Sequence, residues 1–310
     1  MKRRDFLRNL GLAGAATILP AQGLQAITHL TSLESETTPD LIALMGGTPE
    51  MMLAKAIGEA GGIGKYVKKG DKVVIKPNIG WDKAPEMAAN TNPQLVGALV
   101  SMCMAAGAKE VLVFDHTCDN WKASYANSGI ENAVRDAGGK MIPGNDEGMY
   151  QEINLPNAVT LKQAKVHKAI LDCDVWFNMP VLKNHGGPKM TVSMKNLMGI
   201  VWDRRFFHAN NLHQCIADIA TIKQKPVLNI VDAYRTMKTN GPQGKGLADV
   251  VETKALFLSK DMVAVDTAAI KFFSQIREMN LDDVQYLAMA QTQKVGTMDL
   301  ASLNVKRIKL

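Results

Sequence analysis

The sequence predicts an α/β fold: a mostly parallel sheet flanked by helices, with a small irregular or antiparallel insert. Three observations carry this expectation. Short apolar runs recur along the chain and alternate with stretches of helical pattern. Helical stretches open on Pro49 or Asn92-Pro93 and one closes on Gly107, the asymmetry expected of helix ends. The middle, near residues 145–172, breaks the alternation.

Taken in order, Leu41–Met45 reads as a strand and Pro49–Ala60 as a helix with Pro in its first turn, where a missing N–H costs nothing. Lys72–Ile75 is an apolar strand running into Lys76-Pro77-Asn78. Asn92-Pro93 opens a helix to Ala106. Glu110–Phe114 is a strand ending in Asp115-His116, and Ser128–Ala137 is helical up to Gly138-Gly139. Tyr150–Ile170 reads as extended, the candidate antiparallel insert. Val175–Met179 is a buried strand, and Met190–Ile200 and Asn211–Ile222 are helices. Val227–Val231 is a strand ending in Asp232. Ala255–Leu258, Met262–Phe273, Leu281–Gln291 and Val305–Ile308 follow as strand, helix, helix and strand. Residues 40–310 thus form one α/β domain, with two lobes as the open alternative.

Ahead of this domain stands Met1-Lys2-Arg3-Arg4-Asp5-Phe6-Leu7-Arg8, then an apolar stretch from Leu10 to Leu19 and small residues beyond. Arg-Arg-x-Phe-Leu-Arg resembles a twin-arginine export signal, so the twin-arginine machinery is an expected partner and the periplasm an expected location. Cleavage falls after Gly23 or Ala26. The apolar stretch is too short for the roughly 20 residues that span a bilayer, and no later stretch reaches that length. Residues 27–39, rich in Thr, Ser and Glu, read as a linker.

The chain carries a formal net charge of +6, and its first eight residues supply four basic groups and one acid. The remaining +3 gives no reason to expect nucleic acid, and no basic run carries interleaved aromatics. Cys103, Cys118, Cys173 and Cys215 form no C-x-x-C, so iron–sulfur and zinc motifs have no local support and the cofactor is left unknown. Export would permit a Cys118–Cys173 or Cys173–Cys215 disulfide, while Cys103 sits in an apolar helical run that suits a free thiol.

In open α/β sheets, ligands bind beyond the carboxyl ends of the strands. Four strands end there in polar groups: Lys76 and Asn78, Asp115 and His116, Lys183 with His185, and Asp232. The densest stretch runs from Lys183 to Asn196. Its Gly186-Gly187-Pro188 loop precedes a predicted helix whose N-terminus would offer N–H groups to an anion, with Lys183, Lys189 and Lys195 adding charge. The expected binding set is therefore Lys76, Asn78, Lys183, Lys195, Asn196 and Gly244, the last from the loop Gly241-Pro242-Gln243-Gly244-Lys245-Gly246. That loop lacks the Gly-Lys-Ser/Thr ending of a P-loop. His185, His208 and Asp115 are the expected catalytic groups, and Asp232, His185 and His208 the candidate metal ligands.

Lys76-Pro77-Asn78, Lys183-Asn184-His185, Lys195-Asn196-Leu197-Met198-Gly199, His208, Asp232 and Gly241-Pro242-x-Gly244 occur in an order that resembles a bacterial and archaeal family of domains of unknown function. The likeness extends over about residues 41–310. Some members of that family carry an appended four-iron ferredoxin module, whose cysteines this chain lacks, so an iron–sulfur role does not carry over. A more distant likeness is to the lactate racemase fold. The resemblance implies an α/β architecture without naming an activity. An exported enzyme for a small carboxylate or phosphate is the leading expectation; the alternatives are a non-catalytic binder of such an anion or a cofactor, and a redox protein with a non-covalent cofactor such as a flavin.

Overall fold

The computed structural model describes residues 38–310. The expected signal segment 1–26, and residues 27–37 of the linker, lie outside the described residues. The chain runs β1 (Leu41–Met45), α1 (Pro49–Glu59), β2 (Lys72–Pro77), α2 (Pro93–Ala105), β3 (Glu110–Val113), α3 (Trp121–Asn127), α4 (Ile130–Asp136), β4 (Lys140–Met141), β5 (Tyr150–Asn154), β6 (Gln163–His167) and α5 (Lys168–Asp172). It continues through β7 (Val175–Met179), β8 (Val181–Asn184), β9 (Met190–Thr191), α6 (Ser193–Asn196), α7 (Arg205–Ala209), α8 (Leu212–Ile219), β10 (Leu228–Met237), β11 (Val250–Ser259), α9 (Met262–Phe273), α10 (Tyr286–Thr292) and β12 (Val305–Lys309).

Ten strands form one sheet with the path β12-β1-β11-β10-β7-β2-β3-β4; off this path β8 pairs with β10 and carries β9. From β10 to β4 every neighbour on the path is parallel. β11 runs against both β1 and β10. The sheet is thus mostly parallel, as expected, and the expected insert is a separate antiparallel pair, β5 with β6. No helix among the described residues is long and apolar enough to cross a membrane.

Both faces of the sheet are covered because alternate strand residues point to opposite sides. Ile42, Val73, Ile75, Val111, Val113, Phe177 and Ile230 pack with Leu53, Ile57, Leu95 and Leu99 of α1 and α2. Their neighbours Ala43, Val74, Leu112, Trp176 and Val231 face the other way, against Met194, Ile216, Val265 and Ile270 of α6, α8 and α9. Helix starts follow side-chain chemistry: Thr48, Asn92, Asn120, Asn211 and Asp261 each accept a backbone N–H of the following turn.

Several boundaries differ from expectation. Helix α3 begins at Trp121, and the predicted Ser128–Ala137 helix is α4 alone. β10 and β11 are each ten residues long, extending the expected four- or five-residue runs, because they pair with each other over nearly their whole length. Met190–Ile200 is not one helix. Met190 and Thr191 form β9 opposite Asn184 and Lys183, and only Ser193–Asn196 is α-helical before a 3-10 turn to Ile200. The apolar residues Met190, Val192, Met194 and Leu197 suit a strand entering a helix as well as a helix, and tertiary pairing decides. All four cysteines are free thiols.

Candidate functional site

The parallel strands β2, β3 and β7 end side by side, and the segment from β8 to α7 folds across their carboxyl edge. A cleft of about 630 Å³ opens there. Of the ten residues named from sequence, eight line it: Lys76, Asn78, Asp115, Lys183, His185, Lys195, Asn196 and His208.

At its floor the Lys76 ammonium lies 2.8 Å from Asp115 Oδ1, and neither side chain is more than 3% exposed. Lys76 Nζ also donates to Asn196 Oδ1 at 2.8 Å, and Asp115 Oδ2 accepts the Ile79 N–H at 2.6 Å. Asn196 then accepts from Asn78 Nδ2 and donates to Asn178 Oδ1 and to the Lys76 carbonyl. Asn78 Oδ1 accepts from Lys183 Nζ at 2.9 Å, and Lys183 donates again to the Ala89 carbonyl. The amides therefore spend their hydrogen bonds holding the two buried lysines in place; Lys76 itself is neutralised by Asp115.

Lys183 is fully buried with no carboxylate beside it, and burial together with the nearby Lys195 pushes its ammonium down to about 7. Lys195, half-buried, has no hydrogen-bond or ion-pair partner among the described residues; burial, with Arg204 and Lys76 nearby, brings it down to about 8. Arg204 lies in the same wall, its guanidinium fixed by the carbonyls of His116 and Thr117 and by Cys118 Sγ. Lys76, Lys183, Lys195, Arg204 and Arg205 line the cleft against one acid, Asp115. In a low-dielectric recess such an excess attracts anions. The buried hydroxyl of Thr191 and His185 Nδ1, both in the lining, have no hydrogen-bond partner.

Several expectations need correcting. The N–H groups at the start of α6 do not face an anion. Those of Ser193 and Met194 are taken by the Asp266 carboxylate, at 2.8 and 3.0 Å. Gly186-Gly187-Pro188 forms the tip between β8 and β9, outside the lining, and Lys189 is exposed there with φ 66°. Asp232 accepts the N–H groups of Asn92 and Tyr234 and does not join the cleft, because the extended β10 carries it into the interior beside α2. Gly244 also lies outside the lining, with φ 72° and packed against Met87 and Met237; its neighbour Pro242 supplies the contact to the cleft. The candidate metal ligands Asp232, His185 and His208 are not gathered, and no group of three potential ligands exists among the described residues. His185 is a weak base in this setting: burial and the flanking Lys195 and Lys183 push it down to about 2. His208 is exposed at the rim.

Sequence reasoning missed Arg204 and Asn178, and it named Gly199 and His116 without assigning either a role in the site. His116 Nδ1 faces the Val201 carbonyl at 3.0 Å and its ring stacks on Trp202, so its position is fixed from two sides. Asp115-His116 was visible as a strand end; nothing in the sequence showed that residues 199–204 fold over it.

A family model described as a domain of unknown function (DUF362) matches residues 73–271, more than half of the chain. The chain belongs to the DUF362 family. Every residue of the Lys76–Asp115–Asn196–Lys183 network lies inside the matched region. The DUF362 chain is 25% identical over 244 residues to the thylakoid-associated protein sll1697 of Synechocystis sp., an alignment covering 76% of this chain and 71% of that protein. The chain is also similar to the lactate racemase apoprotein from Thermoanaerobacterium thermosaccharolyticum, with a TM-score of 0.49 and 12% identity. That alignment covers 76% of the DUF362 chain and spans 57% of the racemase chain.

Proposed function

We propose that this protein is an exported enzyme whose cleft binds a small carboxylate or phosphate. One observation carries the reading: Lys183 is buried without a counter-ion and Lys195 has no partner among the described residues, while Asp115 is already committed to Lys76. Burying an ammonium without an opposing charge is costly, and an anionic ligand removes that cost. In this reading Lys183 and Arg204 hold the anion, and Lys195, free to move, contacts it and exchanges a proton with the reacting group. A second reading, a binding protein without turnover, draws on the low basicity of His185, which leaves the histidine proposed for proton transfer without a useful proton near neutral pH.

Calorimetry with sulfate, which does not titrate in this range, tests the anion site. Lys195→Met retains the length of the side chain and removes one charge-assisted hydrogen bond of about 1.5–3 kcal/mol, so affinity should fall roughly 10- to 150-fold. For the wild type, affinity should be highest below about pH 7 and decline as Lys183, near 7, and Lys195, near 8, lose their protons. Equal affinity in Lys195→Met, or no decline between pH 6 and 10, would refute the anion site. Turnover of any carboxylate or phosphate ester that Lys195→Met abolishes separates the enzyme from the binder.

The proposed export has its own test. Replacing Arg3 and Arg4 together with lysine should leave the chain uncleaved in the cytoplasmic fraction, and normal export of that double variant would remove the twin-arginine assignment.

A further inference from the structure

Beside the cleft lies a second cavity of about 900 Å³, and His116, Arg204 and Arg205 line both. We propose that the ligand is an aromatic-bodied anion, its charged group among the lysines and its ring against Trp202 in this adjoining groove. The inference rests on the anion reading above and adds the class of molecule.

The β5–β6 insert, which the lysine cleft does not use, builds the groove. Val166 of β6 bridges to Val201, and Trp202 N–H donates to the Lys165 carbonyl at 2.9 Å, so the insert and the segment carrying Arg204 are pinned together. Asp218 fixes the loop that enters β6 by accepting the N–H groups of Val159, Thr160 and Leu161. The floor is apolar: Leu161, Ala164, Val201, Trp202 and Phe206. The ion pair of Lys165 with Glu147 stands at the rim, with Glu152 and Asp203 as further acids in the lining. Lys162 bonds the Ala158 carbonyl, and Asp203 accepts the N–H groups of Arg205 and Phe206. Glu147, Glu152 and Asp203 disfavour a second negative charge in the groove, whereas the shared wall of Arg204 and Arg205 calls for an anion next to it.

Trp202 is half-buried, and one face of its indole stacks on His116 with centroids 4.9 Å apart and planes 5° from parallel. Tyr150 tilts against it at 5.3 Å. An aromatic platform held this firmly loses little freedom when a second ring joins it. The volume is within the roughly 300–1,000 Å³ of small-molecule pockets.

The test compares inorganic phosphate with phenyl phosphate on the purified protein at one pH below 7. Phenyl phosphate should bind at least about tenfold more tightly, since ring burial and stacking together exceed the roughly 1.4 kcal/mol that tenfold represents. Trp202→Ala should bring phenyl phosphate down to the level of inorganic phosphate while leaving the affinity for inorganic phosphate unchanged, which also shows that the variant is folded. Phe206→Ala, in the same floor, should narrow the gap in part and serves if Trp202→Ala does not fold. Equal binding of the two probes by the wild type overturns the aromatic body and leaves the anion site standing. Binding of neither overturns both. Phenol binding as tightly as phenyl phosphate, with no effect of Lys195→Met on phenyl phosphate, shows two unconnected cavities and overturns the proposal as well.

Discussion

Lys76→Met is expected to cost about 3–5 kcal/mol of stability, because it strands a buried carboxylate. Asp115 is 2% exposed, and after the substitution its one remaining donor among the described residues is the Ile79 N–H. Asn196 Oδ1 loses its stronger partner too, retaining Asn78 Nδ2 at 3.1 Å. For a domain of this size about 2–4 °C accompanies each kcal/mol, so the melting temperature should fall by roughly 6–20 °C. Lys76→Met combined with Asp115→Leu should recover most of that loss, since an apolar pair of similar volume replaces a buried ion pair nearly without cost. Recovery should be incomplete by about 1 kcal/mol, because the Ile79 N–H then has no acceptor. Differential scanning calorimetry of the two variants decides. If the double variant is as unstable as the single one, the loss comes from packing and the ion pair is not what organises the floor.

Gly199→Ala should be nearly as damaging, although glycine to alanine is the smallest change that adds a side-chain carbon. A Cβ at residue 199 would stand 1.8 Å from Asp115 Oδ1 and 2.5 Å from Lys76 Nζ. Neither group can yield, because both are buried and each is bonded in two or more directions. The Gly199 carbonyl is itself held by the His116 N–H at 3.1 Å, so the backbone cannot retreat without releasing that strand end. Overpacking alone costs roughly 1–3 kcal/mol, and parting the ion pair adds to it. Sulfate affinity should fall together with stability, since the displaced Lys76 pulls on Asn196 and, through Asn78, on Lys183. Gly186→Ala is the control. Its Cβ would meet nothing within 4 Å, and the variant should match the wild type in both measurements. A stable, sulfate-binding Gly199→Ala would show that the floor is looser than these distances imply.

These two residues illustrate what could and could not be read in advance. Lys76 and Asp115 were legible as polar groups ending apolar strands, because strand direction and the α/β rule place such ends on one edge. That they neutralise each other was not legible, since the pairing of residues 39 positions apart depends on β2 and β3 being adjacent. The same reasoning failed for Asp232. It ends the expected apolar run, but β10 continues five residues further along β11, so a predicted strand end became an interior position. Gly199 was part of a recognised motif, yet its role follows from a close approach that has no local signature. Arg204 belongs to neither an apolar period nor a glycine-rich loop, and only the chain fold brings its guanidinium to the His116 and Thr117 carbonyls.

The sequence by itself determined the class of fold, the order of its main strands and helices, the antiparallel insert, and eight of the residues that line the cleft. Each of these is written in local terms: periodicity, caps, and the chemistry of strand ends. Tertiary structure alone decided which lysine is neutralised, which is left without a partner, and where the positive end of α6 points. Those outcomes rest on pairings between residues far apart in sequence, Lys76 with Asp115, Lys183 with Asn78 and Asp266 with Ser193, and no local pattern records them.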